Sequence, residues 1–547
     1  MTDSSSRIGS GLIKPAEEPD AQQRSAVDAV DHAHPAHEPN GEDFAVSPEQ
    51  LALPMGEEPA GQVLVPERTR RIYCNRNLRL DQVDVVGFDM DYTLAIYNQP
   101  EMDRLSIEAT TKKLVERGYP QSLLTMPYRT DFAIRGLLID KKLGNVLKMD
   151  RYRYVKKAYH GMRELTLEER RVAYHQHRIR PGTSRFHWVD TLYALSEVSV
   201  FAAVVDELEK EGVAVDYDKL FSDVRMCIDL SHQDGSILDV VMADLPRFLR
   251  RDPDLGNTLH KLRSAGKKLF VLTNSRAAYT DKMMTFLVGD ALHEYPSWKN
   301  YFDIIITAAG KPRFFSESNP FVEVLADGTP KAEPASSFEP GHIYAGGNIV
   351  DFDRMLNVPA DRVLYVGDHI YGDVLRAKKE TAWRTVMVIQ EMREELGALT
   401  TCEEEIARLD ALGRARDTLY DELRSRQRRF KELDKLLNGA APLAAADRNE
   451  GSISSIEAAR QREKKSIERV RTRLKAVESE YNELEDRIDK AFHPFWGSIF
   501  KAGPEVTIFG DQVEQYACLY TERVSNLLVY SPMHYFRSPR DRMPHES

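Results

Sequence analysis

One repeated figure constrains this chain more than any other: a short apolar run, rich in β-branched residues, that stops on polar residues able to do chemistry. VDVVGFDMD at 83–91, KLFVLT at 268–273, FDIIITA at 302–308 and RVLYVGD at 362–368 all show it. Apolar runs of this length without alternation predict strands covered on both faces, as parallel strands are. The stretches between them, such as PDLGNTLHKLRSAGKK, carry the spacing and charge of helices. Strand and helix in alternation predict an α/β fold around a doubly wound, Rossmann-like parallel sheet. Such sheets bind ligands beyond the carboxyl ends of their strands, which is where each run places its polar residues.

About 180 residues separate the first run from the second, far more than a crossover helix needs. The segment therefore predicts an inserted cap domain able to close over a site. Further on, ARLDALGRARDTLYDELRSRQRRFKELDKLL and a second charged stretch from Ala458 flank the loop-like GAAPLAAADRNEGS, which predicts a helical hairpin. The expected organisation is a disordered tail at 1–65, a catalytic core at 66–110 and 240–400, and a cap at 111–239. The hairpin follows at 401–495, and a C-terminal segment packs on the core at 496–547. The tail is rich in Pro, Ala, Ser and acidic residues without apolar periodicity, too little to bury against the entropy of ordering. Its His32, His34 and His37 read as solvated residues.

A net charge of −11 and an isoelectric point near 5.8 argue against a nucleic-acid-binding surface. The four cysteines lie far apart with no zinc-ligand spacing, so neither a disulfide framework nor a structural metal is expected, and a reducing compartment fits. No apolar stretch approaches the ~20 residues that span a bilayer, and MTDSSSRIGS lacks a secretory pattern. A cytoplasmic location without membrane contact is expected.

The chemistry is carried by DMDYT at 89–93. Positions i and i+2 of an extended segment point the same way, so Asp89 and Asp91 both face the crevice. One carboxylate can attack phosphorus, and a second, raised in pKa by its neighbour, can protonate the leaving oxygen. Asp89 is the candidate nucleophile and Asp91 the candidate acid/base. Thr273, Asn274 and Ser275 end the second run, where hydroxyl and backbone donors hold phosphate oxygens. Lys311, after the third, neutralises charge on a transferring phosphoryl group. Asp368 follows the fourth run, and with Asp89 and the backbone carbonyl of Asp91 it supplies the hard oxygens that magnesium prefers. Asp373 is assigned to orienting ligand waters or Lys311. Taken singly, a DxD is usually a surface turn, TNS a helix cap and a lysine a solvated charge; four stations in order, each after a strand, argue for a site.

This set resembles the haloacid dehalogenase (HAD) superfamily of phosphohydrolases. The finer wording is similar to its cytosolic purine 5′-nucleotidase II type, from about residue 70 to 547: GFDMDYTLAIY, LTNS, KPRFF, YVGDHIYGD, KKETAWRT and the terminal MPHES. The resemblance implies magnesium-dependent hydrolysis of nucleoside 5′-monophosphates such as IMP and GMP through an aspartyl-phosphate on Asp89, with transfer to a nucleoside as a further activity. It implies a homo-oligomer, commonly a tetramer. It also places the purine against Arg225, Asp229 and His232 of DVRMCIDLSH, with Tyr193 stacking where the family has Phe; from spacing alone, Arg225 and Asp229 form a helix ion pair. The family's Asn is Ala194 here and its Lys is Leu238. A nucleotide effector site is implied at Arg180, Tyr371, Lys379 and Gln512, with Asp190 replacing an Asn there. The rival expectations are a phosphatase for another phosphomonoester, and a non-catalytic nucleotide-binding scaffold assembled through the hairpin.

Overall fold

A computed structural model describes residues 66–174, 179–438 and 450–539, with the side chains of 450–452 left aside. The 1–65 tail with its histidines, most of the hairpin loop and MPHES lie outside the described residues.

The core is a ten-stranded sheet. In chain order its strands are β1 (Tyr73–Cys74), β2 (Val85–Phe88), β3 (Lys268–Leu272), β4 (Ile304–Thr307), β5 (Phe321–Val324), β6 (Pro330–Pro334), β7 (Ile343–Gly346), β8 (Val363–Gly367), β9 (Arg384–Val388) and β10 (Leu519–Thr521). They lie in the order β1-β10-β9-β8-β2-β3-β4-β7-β5-β6. Every pair from β10 to β7 is parallel, while β1 and the β5–β6 ribbon close the edges antiparallel. The four runs found in the sequence are the adjacent strands β8, β2, β3 and β4. Their residues are apolar because both faces are covered: Val85, Val86 and Phe88 have no exposed surface, each contributing roughly 1.5–3 kcal/mol by burial. Gly87 must be glycine, since a Cβ there would lie 2.0 Å from the Phe270 ring of the next strand.

Strand order reverses between β2 and β8. From β2 the chain proceeds outward through β3 and β4, and from β8 outward through β9 and β10 on the other side. This is the switch point at which doubly wound sheets open a crevice. Asp89 leaves β2 there, its N–H donating to Val366 O at 2.8 Å.

The residues between β2 and β3 build a second layer. Helix α1 (Gln99–Glu116) leads into a five-stranded antiparallel sheet formed from Leu137–Asp140, Asn145–Met149, Val155–His160, Arg163–Glu164 and Phe186–Val189. Helices α2 (Leu195–Lys210) and α3 (Tyr217–Gln233) follow, and both pack on α1. The expected boundary at 110/111 thus falls inside α1. One apolar cluster runs from Val86 and Val366 of the main sheet to Val198, Phe201 and Val224 of the insert. The helices Glu403–Leu437 and Glu450–Phe492 form the hairpin, joined by small clusters around Leu412 and Ile488 and around Leu419 and Val470. Among the described residues no helix is long and apolar enough to cross a membrane.

The C-terminal segment supplies β10 and also grips the insert. Lys148, 3% exposed, donates from Nζ to the carbonyls of Trp496, Ser498 and Lys501 at 2.6, 2.7 and 2.7 Å. Burial pulls its ammonium down to about 8. Lys148→Met leaves three carbonyls without a donor, so we predict a loss of about 2–4 kcal/mol, read as an earlier denaturation midpoint; an unchanged midpoint would show that water serves them equally well.

Candidate active site

Four strand ends converge at the switch point. Lys311 Nζ stands 3.0 Å from Asp89 Oδ1, 2.6 Å from Asp373 Oδ1 and 2.9 Å from the Tyr365 hydroxyl, with only 3% of its side chain exposed. Its two carboxylate partners hold the ammonium above its usual range despite burial. Asn274 fixes the lysine's backbone from both sides, Oδ1 accepting from Lys311 N at 2.6 Å and Nδ2 donating to Lys311 O at 3.0 Å. The Asn274 side-chain amide is thus committed to placing Lys311, which leaves its backbone N–H as the donor expected to hold phosphate. Asp373 comes this close because residue 367 is glycine: a Cβ there would meet the Asp373 carboxyl at 2.7 Å.

Asp91 sits in a cradle of hydroxyls. Ser275 Oγ donates to Oδ2 at 2.5 Å and Tyr97 Oη to Oδ1 at 2.6 Å, while the Tyr97 and Tyr279 hydroxyls share a bond of 2.9 Å. Burial raises the Asp91 pKa; these hydroxyls, and that of Tyr193, oppose the rise. The next residue, Tyr92, adopts the left-handed region at φ 57°, an unfavourable conformation for a bulky side chain. Gln390 holds it by donating from Nε2 to Tyr92 O at 2.9 Å. Thr273 is fully buried, its Oγ1 accepting from Ser275 N at 3.1 Å. The segment stands just before helix α4 (Ala277–Val288), whose N-terminal amides favour an anion.

The donor set fits a hard divalent cation. Asp89, Asp368 and Asp373 each offer an oxygen within 4.8 Å of the others, and their charge is only partly neutralised, by Lys311 and, at Asp368, by Arg135 and His369. Burial, with repulsion from neighbouring carboxylates, pushes Asp368 up to about 7 and Asp89 well above the carboxylate range. A cation on these oxygens relieves both effects. The Asp91 side chain, taken by hydroxyls, is left with its carbonyl to offer a metal.

The insert reaches this centre through Arg135, a residue that no local sequence signal marks. Its guanidinium has no exposed surface, donates to Asp368 O at 2.8 Å, and clasps Glu391 at 2.7 and 2.6 Å. Asp190 pairs with His369 at 3.2 Å, so its charge is spent on a core residue. The four expected base-binding residues form two pairs. Tyr193 meets His232 edge-on at 5.9 Å and Tyr92 at 4.8 Å, which brings it beside Asp91. Arg225 stands 3.7 Å from Asp229, as helix spacing predicts, and 3.0 Å from Glu197 Oε2, a buried carboxyl that sequence reasoning missed. Ala194 precedes α2, and Leu238 packs against the main core. Of the expected effector residues, Gln512 donates to the Tyr371 hydroxyl at 2.9 Å, whereas Arg180 and Lys379 are exposed.

Two predictions follow from these contacts. Tyr97→Phe removes a donor from ionised Asp91, so the limb of the pH–rate profile set by that carboxyl shifts upward by about one pH unit; an unmoved profile would exclude Tyr97 from tuning it. Glu197, raised to about 7 mainly by burial and opposed by Arg225, binds a proton more readily folded than unfolded, so its contribution to stability is lost as pH rises through 7. Arg225→Met raises that carboxyl further. The melting-temperature gap to wild type is expected to widen above pH 7, and a gap that stays constant from pH 6 to 8 would refute the pairing.

Several known proteins are similar to this chain. A 5′-nucleotidase domain-containing protein of Dictyostelium discoideum is 29% identical over 484 residues, covering 87% of this chain and 74% of that protein. The human 5′-nucleotidase domain-containing protein 2 is 31% identical over 343 residues, covering 60% of this chain and 65% of its own length. Among solved structures, a HAD phosphatase from Thermococcus onnurineus matches 56% of this chain and 87% of its own at 16% identity and a TM-score of 0.22. A HAD hydrolase from Bacillus subtilis bound to magnesium matches 56% and 88% at 14% identity and a TM-score of 0.18. The model of the 5′ nucleotidase family matches residues 72–547, nearly all of the chain outside the tail, and the chain belongs to that family.

Proposed function

We propose that this enzyme is a magnesium-dependent 5′-nucleotidase that releases phosphate from purine nucleoside 5′-monophosphates through an aspartyl-phosphate on Asp89. The observation that carries this reading is the division of labour between two carboxylates on one turn: Asp89 faces Lys311 and the acidic cluster, while Asp91 faces hydroxyls. Two groups in different surroundings can hold different protonation states, as an acid and a nucleophile must.

Asp89 attacks phosphorus, the bond to the 5′-oxygen breaks, and Asp91 gives its proton to that oxygen. Asp91, now a carboxylate, then takes a proton from water as the water attacks the same phosphorus, which frees phosphate and restores Asp89. A nucleoside hydroxyl in place of water gives phosphoryl transfer. Lys311 balances negative charge from a position fixed by Asn274 and Asp373, and hydroxyl and backbone donors of Thr273, Asn274 and Ser275, just past the strand, hold the phosphate oxygens. Magnesium would be held by Asp89, Asp368 and the Asp91 carbonyl, where it would supply further charge neutralisation. Ser275 and Tyr97 keep the Asp91 carboxyl aimed through both half-reactions.

The insert at 111–239 acts as the specificity cap, where Tyr193 and His232 take the flat face of the base and Arg225 and Asp229 its edge. We further assign purine nucleotide effector binding to the surface near Tyr371 and Gln512, and assembly into a homo-oligomer in the cytoplasm. Phosphate release from IMP, GMP, AMP, CMP and sugar phosphates, run beside Asp89→Asn, tests the whole reading. Purine monophosphates should turn over only with magnesium, and the variant should lose at least about 10³-fold. Turnover of sugar phosphates alone would overturn the role of the cap, and an active Asp89→Asn the nucleophile.

A further inference from the structure

Behind the turn that follows Asp91, four arginines, Arg250, Arg251, Arg393 and Arg523, line one cavity of about 180 Å³. Two carboxylates, Asp252 and Glu522, line it with them, and two more face the same arginines from outside, Asp290 beside Arg251 and Glu394 toward Arg250 and Arg393. Pairing inside is incomplete. Arg393 Nε donates to Glu522 Oε1 at 2.7 Å, Arg523 Nη1 stands 3.9 Å from Asp252, and Arg251 turns outward to Asp290 at 3.3 Å. Among the described residues, Arg250 has no carboxylate within 4 Å and acts on Glu394 only at longer range. Two buried atoms have no hydrogen-bond partner, and they are of opposite kind: Arg523 Nε, a donor, and Glu522 Oε2, an acceptor.

Crowded guanidiniums repel, and each orphaned polar atom costs about 1–3 kcal/mol. An oxyanion answers the crowded guanidiniums and the free donor, guanidinium being shaped for such oxygens. The free acceptor narrows the choice, because a carboxylate oxygen in an anion site accepts a bond only from a ligand that still carries a proton. Near neutral pH hydrogen phosphate has one and sulfate does not.

The cavity also touches the catalytic turn. Gln390, which lines it, donates to Tyr92 O at 2.9 Å and Ala95 O at 3.4 Å. Ile96, another wall residue, pairs with Arg250 in a short antiparallel ladder whose other rung is Tyr97 with Leu249, and Tyr97 holds Asp91. We propose that this cavity is a second phosphate site, separate from the catalytic one, which binds inorganic hydrogen phosphate and steadies the turn from Tyr92 to Tyr97. Binding here stands on the cavity's own atoms and not on the substrate reading; phosphate is the reaction's product, so occupancy reports accumulated turnover back to the acid/base carboxyl.

Calorimetric titration of the full chain with inorganic phosphate, with chelator present, tests binding without turnover. Wild type should take up phosphate at a site that disfavours sulfate and that weakens by about tenfold or more in Arg250→Gln, an exposed position that spares folding. Glu522→Gln should narrow the preference for phosphate over sulfate. Identical phosphate isotherms for wild type and Arg250→Gln, or sulfate bound as tightly as phosphate, would overturn the site. Kinetically, phosphate should change the apparent kcat of wild type and leave only competition in Arg250→Gln; pure competition in both would overturn the coupling to the turn. A protein that turned over no nucleotide would still give the calorimetric answer.

Discussion

The ammonium of Lys311, almost without exposed surface between Asp89 and Asp373, is the interaction on which the rest of the site depends. Moving such charges out of water costs several kcal/mol per ion, recovered only where geometry is good and every remaining proton has an acceptor. The surroundings meet that condition in detail. Tyr365 accepts one proton, Asn274 clamps the backbone, and Gly367 leaves room for Asp373. Even so, three carboxylates crowd one ammonium, and burial, with repulsion from Asp373 and only partial relief from Arg135, His369 and Lys311, pushes Asp368 up to about 7. A hard divalent cation on these oxygens would offset that imbalance.

The same imbalance explains why the site could be found from sequence. Each of its members leaves the carboxyl end of a central strand, so a local pattern of apolar run and terminal polar residue announces both the strand and the group it carries. DMDYT, LTNS and VGDHIYGD needed no long-range information. Strands β7, β9 and β10 extend the same parallel sheet, but none of them ends on a residue of the catalytic pattern, so that pattern does not announce them.

What escaped the sequence acts across long separations. Arg135 lies 233 residues from Asp368, whose carbonyl it holds, and nothing around it distinguishes it from a surface arginine. Tyr97 sits in plain view in GFDMDYTLAIY yet reads as one more apolar position, because only its hydroxyl matters and the fold aims it at Asp91. Asn274 belongs to the expected phosphate-holding trio but spends its amide on Lys311, a distinction that residue type cannot make. Asp190, expected at the effector surface in place of an Asn, is paired with His369. The boundary at 110/111 falls within α1 because a helix entering an insert carries no break in its periodicity.

These long-range contacts also limit how the insert can move. A lid that swings freely needs a small, polar seam with the core. Here one apolar cluster joins the main sheet to α2 and α3, Lys148 ties the insert's own sheet to the C-terminal segment, and Arg135 locks it to the Asp368 backbone. Opening that seam would expose apolar surface at roughly 25 cal/mol per Å² and strand a buried guanidinium. Along that seam Tyr193 is 40% exposed and packed edge-on against both Tyr92 and His232, and its hydroxyl is one of the groups that oppose the rise of the Asp91 carboxyl on burial, so this one ring links the insert's surface to the acidic residue beneath it.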